Sequence, residues 1–221
     1  MRLTACVVLF ISMMFSSAYA NQDYLQSAPE GPVLGFFKFI SGVISAYALH
    51  ETGHAIAAGV TGTELEWGLG TYNQPLGFTE YAEDDTSGVM VHSSGLTTQI
   101  IVSEVILRAN SIDKNDNFVR GMMAWNVFNP IIYALDYWFI KRTNKVEEDY
   151  YHGDIAGIEH YSNETTANLF AGTMTALAVN QGYRFLKTQT WAPEWVTRDD
   201  VRLNFMPHGH SGFTFNVEMS F

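Results

Sequence analysis

Residues 32–59 read "PVLGFFKFISGVISAYALHETGHAIAAG", a run apolar on nearly every side, broken by Lys38 and by two histidines with a glutamate. Length and composition predict a helix over 32–59, and a helix apolar all round lies in a protein core or in lipid. Within it His50 and His54 stand four residues apart. On a helix their side chains differ by about 40° in azimuth, so both imidazoles can reach one ion. Glu51 is turned by about 100° from His50, beside the ion rather than on it, where a carboxylate can take a proton from water.

With 7 His and 13 Glu in 221 residues, the chance expectation for an H-E-x-x-H match is about 0.01. The competing reading is a pair of satisfied core histidines. Burying two imidazoles and a carboxylate in an apolar helix costs several kcal/mol unless something compensates, and a divalent ion is the most direct compensation.

Working outward, three more helices are expected. Residues 96–109 form a second, with Ser94 and Gly95 marking its start. Residues 118–140, "FVRGMMAWNVFNPIIYALDYWFI", form a third, long enough to span a membrane, with Pro130 expected to kink it. Residues 164–187 form a fourth, acidic Glu164 at its start and Arg184 and Lys187 at its end, as the helix dipole prefers. Between the first two helices, a glycine-rich insertion at about 60–93 reads as a small sheet or hairpins. Its acidic group Glu83, Asp84 and Asp85 reads as a solvated turn. At the C-terminus, Val201, Leu203 and Phe205, and then Phe213, Phe215, Val217, Met219 and Phe221, alternate with mostly polar residues, a period of two that predicts a β-hairpin. The fold class is therefore mainly α: about four helices with a small β insertion after helix one and a C-terminal β-hairpin.

Residues 1–20 carry Arg2, an apolar stretch and an A-x-A pattern, the signature of a secretory signal peptide. The expected organisation is a signal peptide at 1–20, a helical domain at 21–190 and a hairpin tail at 191–221. The one cysteine, Cys6, falls in the leader, so a metal site in the mature chain must use His, Asp and Glu. The formal charge of −11 argues against a nucleic-acid partner, which attracts basic surfaces. Asn163 heads a glycosylation sequon, and His208 and His210 flank Gly209 in what reads as a polar turn.

Zinc needs a third protein ligand if one position is to stay open for water, and Glu104, Asp136, Asp154, Glu159 and His160 are the candidates. In an up-down-up bundle, helices one and three run in the same direction. The late position of His50 and His54 in one then matches the late position of Asp136 in the other. Asp154 and Glu159 fall in "YYHGDIAGIEHY", which reads first as a solvated polar loop.

Taken in order, "HETGHAIAAGVTG", the glycine-rich "TELEWGLGTYNQPLG", "SSGLTTQIIVSEVIL" and "NVFNPIIYALDYW" resemble the site-2 protease class of membrane-embedded zinc metallopeptidases, peptidase family M50. The resemblance covers about residues 40–140, and its specific part is the HExxH motif. It implies a membrane-embedded three-helix core plus one further helix, zinc (Zn2+) as cofactor, His50, His54 and Asp136 as metal ligands, and Glu51 as the catalytic base. It also implies Asn126 or Asn129 as a polar contact to substrate backbone. Tyr137 follows Asp136 where the family usually has glycine. The expected activity is hydrolysis of peptide bonds in membrane-tethered protein or peptide substrates, with the lipid bilayer as surroundings. The expected location is a membrane reached by the secretory route, such as a bacterial inner membrane; Lys141, Arg142 and Lys145 then fall on the cytoplasmic side. An exported soluble or peripheral zinc hydrolase, periplasmic or secreted, and a non-catalytic membrane scaffold are the alternatives.

Overall fold

A computed structural model describes residues 31–69, 76–141, 153–197, 201–208 and 212–219. The expected leader at 1–20 and the turn at 209–211 lie outside the described residues. The chain is mainly helical: α1 (Pro32–Thr61), β1 (Glu64–Leu69), β2 (Leu76–Tyr81), α2 (Asp85–Arg108), α3 (Asn117–Leu135), a π-helical continuation (Asp136–Lys141), α4 (Asp154–His160), α5 (Glu164–Leu186), α6 (Glu194–Thr197), β3 (Val201–His208) and β4 (Gly212–Met219).

The four long helices pack alternately up and down. His54 meets Val91 while His50 meets Gln99, so α2 runs against α1. Tyr47 lies against Trp125 and His50 against Tyr133, so α3 runs with α1, as the depth argument requires. Helix α5 runs against α3, since Trp138 bonds Asn168 whereas Arg120 bonds Gln189.

Sequence explains the starts and stops. Pro32 opens α1 where no backbone N–H is needed, and Gly62 at φ 77° closes it in the left-handed region. The crossing of α1 and α3 is close because both helices present glycine there. A Cβ on Gly42 would collide with the Phe118 carbonyl, and one on Gly121 with the Phe39 carbonyl. The Lys38 ammonium pairs with Asp116 at 3.0 Å and fastens the start of α1 to the N-cap of α3.

Two local expectations need correction. Among the described residues the insertion is β-structured at Glu64–Leu69 and Leu76–Tyr81, which pair antiparallel with Glu64 opposite Tyr81 and Leu69 opposite Leu76. Helix α2 begins at Asp85, not at 96. The acidic group is thus no mere solvated turn: Asp84 is the N-cap, accepting from the Ser87 backbone N–H at 2.8 Å and from its hydroxyl at 3.0 Å. Those hydrogen bonds hold the Asp84 carboxyl below its ordinary range. The second correction is 154–160, read as a loop, which forms helix α4 and buries Asp154, Ile155, Gly157 and Ile158.

The C-terminal strands pair antiparallel from Val201 opposite Met219 to His208 opposite Gly212, the hairpin that the period of two predicts. Helices α1 and α2 are each long and apolar enough to cross a membrane. Pro130 is buried inside α3, which stays α-helical through it to Leu135 before widening into the π segment.

Candidate metal centre

The late part of α1 carries His50 and His54 inward, each 1 % exposed. Helix α4 brings Asp154 to them, itself 4 % exposed. The His50 and His54 Nε2 atoms lie 3.1 Å apart. Asp154 Oδ2 is 3.2 Å from the first and its Oδ1 3.4 Å from the second. Zinc bonds to nitrogen and oxygen are about 2.0–2.2 Å, so adjacent ligands in a tetrahedron sit about 3.3–3.6 Å apart. The spacings among these three side chains are close to that range.

The other ring nitrogens explain why these atoms converge. His54 Nδ1 donates to the Val91 carbonyl at 2.7 Å, and His50 Nδ1 lies 3.2 Å from Gln99 Oε1. The Gln99 oxygen also accepts from Asn129 Nδ2 at 2.9 Å, which fixes it as the acceptor toward His50. With both protons held at Nδ1, neutral imidazoles present two Nε2 lone pairs to each other and to a carboxylate. Three lone-pair donors converging in a buried space require a positive charge between them. A divalent ion supplies that charge, and the residues present fit one.

Gly95 of α2 lies directly against the ligand atoms. A Cβ there would overlap His54 Nε2 and approach His50 Nε2 to 2.7 Å. The residue expected to mark a helix start is thus in mid-helix, where its lack of a side chain leaves room for the metal position.

His50, His54 and Asp154 are the group of metal-binding side chains found among the described residues. Asp136, the residue the resemblance implies as third ligand, is outside that group. It is half-buried at the first position of the π segment. Asn129 donates to Gln99 Oε1 at 2.9 Å, and Asn126 is buried one turn deeper at 1 % exposure. Glu104 is taken up in ion pairs with Arg184 at 2.7 Å and Arg108 at 2.6 Å. Glu159 accepts from the Tyr137 hydroxyl at 2.6 Å, which gives the unexpected Tyr137 a buried structural role, and His160 packs edge-on against Tyr161. Glu51 sits beside the triad with Tyr47 as its hydrogen-bonding neighbour.

Gln99 went unnoticed in the sequence because a single glutamine in "TTQIIV" gives no signal until the helices are packed. Its removal tests the site. Gln99→Ala frees the His50 ring and should weaken metal binding by about 10–100-fold, the usual effect of losing an outer-shell partner, as read by competition against a chromogenic chelator. Comparisons with protein-family models, with curated proteins and with solved structures return no match.

Proposed function

We propose that the chain is a zinc-dependent endopeptidase embedded in a membrane, cleaving peptide bonds of membrane-associated protein or peptide substrates. The observation that carries this reading is the convergence of both HExxH histidines with a buried Asp154 beside the Glu51 carboxylate. Zinc supplies Lewis acidity at such a site, polarising a carbonyl and acidifying water. His50, His54 and Asp154 would hold it, with Gln99 and the Val91 carbonyl fixing the ring orientations. Glu51 accepts the proton of the attacking water and delivers it to the leaving amine. Tyr47, one turn earlier on α1, orients that carboxylate.

Two features support a bilayer as the setting. The outer face of α1 exposes large apolar side chains, with Phe37 61 % and Val60 73 % accessible, and α3 does likewise with Phe128 and Ile132. Water-facing surfaces rarely carry so continuous an apolar belt. The inner face of α1 is made of Gly35, Gly42, Ser45, Ala46, Gly53, Ala57 and Ala58 around the histidines. Small residues inside and large apolar residues outside is how helices associate in lipid. The third ligand in this reading is Asp154, in place of the Asp136 that the family resemblance implies.

Glu51→Gln tests the chemistry: the variant should keep one zinc per chain and lose cleavage of a membrane-tethered reporter by at least about 100-fold, the lower range for a lost general base. Undiminished cleavage would refute the reading. Alkaline carbonate extraction tests the setting, with retention in the membrane pellet expected and release into the supernatant pointing to a soluble hydrolase.

A further inference from the structure

One helical turn deeper than the triad, the interior between α2, α3 and α5 is polar. Gln99 and Ser103 are fully buried, Asn126 is 1 % exposed and Gln181 4 %. Both polar atoms of Asn126, together with Gln99 Nε2, Ser103 Oγ and Gln181 Oε1, have no hydrogen-bond partner among the described residues.

These atoms share one level. The antiparallel register of α2 and α3 is fixed by the Asn129–Gln99 hydrogen bond on one side and by Met123 clustering with Ile106 on the other, which sets Asn126 across from Ser103. Gln181 joins from α5, donating to the Ile100 carbonyl at 3.0 Å, and the neighbouring Gly182 faces Val127. Ile106, Met123 and Phe185 close the space below with an apolar cluster.

Buried amides and hydroxyls are nearly always hydrogen-bonded in native proteins. The set here mixes donors and acceptors and carries no charge. A cation would leave the amide N–H groups unmet and an anion would leave the amide oxygens unmet, whereas water both donates and accepts. We propose that Gln99, Ser103, Asn126 and Gln181 enclose an internal hydration site behind the metal triad that supplies water to it. The supply role rests on the hydrolase reading; the hydration does not. Gln99 links the two places, its oxygen toward His50 and its amide nitrogen toward the deeper site. On the other side Gln181 Nε2 comes within 3.4 Å of Glu104 Oε2, so the site is one side chain from the Glu104–Arg184 ion pair, where water can enter. Each peptide bond hydrolysed consumes one water molecule, and lipid around the helices cannot provide it.

The test is water-to-amide magnetisation transfer on the full chain in detergent, with isotope-labelled asparagine and glutamine side chains. The Asn126 and Gln181 side-chain amides should show water cross-peaks despite their burial, and Asn126→Leu should abolish the Gln181 cross-peak while leaving zinc stoichiometry at its wild-type value. Ser103→Ala, which removes one hydroxyl and little volume, should weaken the same cross-peak and lower turnover. Absence of cross-peaks from both amides in the wild-type chain overturns the proposal, as does a Gln181 cross-peak unaltered by either variant. Cross-peaks in a chain that binds no zinc and cleaves nothing would uphold the hydration site and refute the hydrolase reading separately.

Discussion

Replacing Gly95 by alanine should reduce bound zinc from one per chain to near zero. The added methyl would overlap His54 Nε2 and approach His50 Nε2, where both imidazoles must turn toward the metal. Relief requires α2 to shift or the rings to turn, and each ring is already tied at Nδ1, one to Val91 and the other to Gln99. Overpacking of this kind typically costs about 1–3 kcal/mol, which a bundle can absorb, so the chain folds with a spoiled site. The same change at Gly59, where a Cβ meets nothing within 4 Å, is the control and should leave zinc content intact. Elemental analysis of purified protein reads both. Full zinc occupancy in Gly95→Ala would place the metal away from the His50–His54 pair.

The third ligand gives the second large effect. Asp154→Asn removes the charge that faces both Nε2 atoms and substitutes an amide, a poor zinc ligand, so zinc affinity should fall by more than the about 100-fold that bounds outer-shell losses. Asp136→Asn should stay near wild type, because Asp136 does not share the cluster. Parallel chelator-competition titrations of the two variants decide between them. The opposite ranking would return the role to Asp136 and make Asp154 a packing residue.

Much of this arrangement was legible in the amino acids. The helices around residues 32–59, 118–140 and 164–187 announce themselves by apolar runs with caps, and the HExxH spacing places two ligands on one face before any packing is known. What escaped has identifiable causes. The segment "DTSGVMVHSSG" has the composition of a turn, and its small residues are there for a tertiary reason: Gly95 must lie against the histidines and Gly88 beneath Tyr161. Tertiary contact overrode local propensity. Asp136 is favoured by its depth in the bundle and by the family resemblance. The level was right, since α3 does run with α1, but depth says nothing about azimuth. It also could not foresee that α4, a seven-residue helix read as loop, would return to the same level with an acid at its first position.

That return of the chain has a thermodynamic consequence. His54 and Asp154 are 100 residues apart in the sequence, and α2 and α3 lie between them. An ion bonded to both closes a ring of that size. A covalent cross-link over such a span lowers the conformational freedom of the denatured ensemble by about 4–5 kcal/mol at room temperature, and coordination acts in the same sense for as long as the ion stays bound. A metal bound there would thus also act as a clasp that fastens an otherwise short and marginal helix to the bundle, so that loading the ion and docking Asp154–His160 would become a single cooperative event.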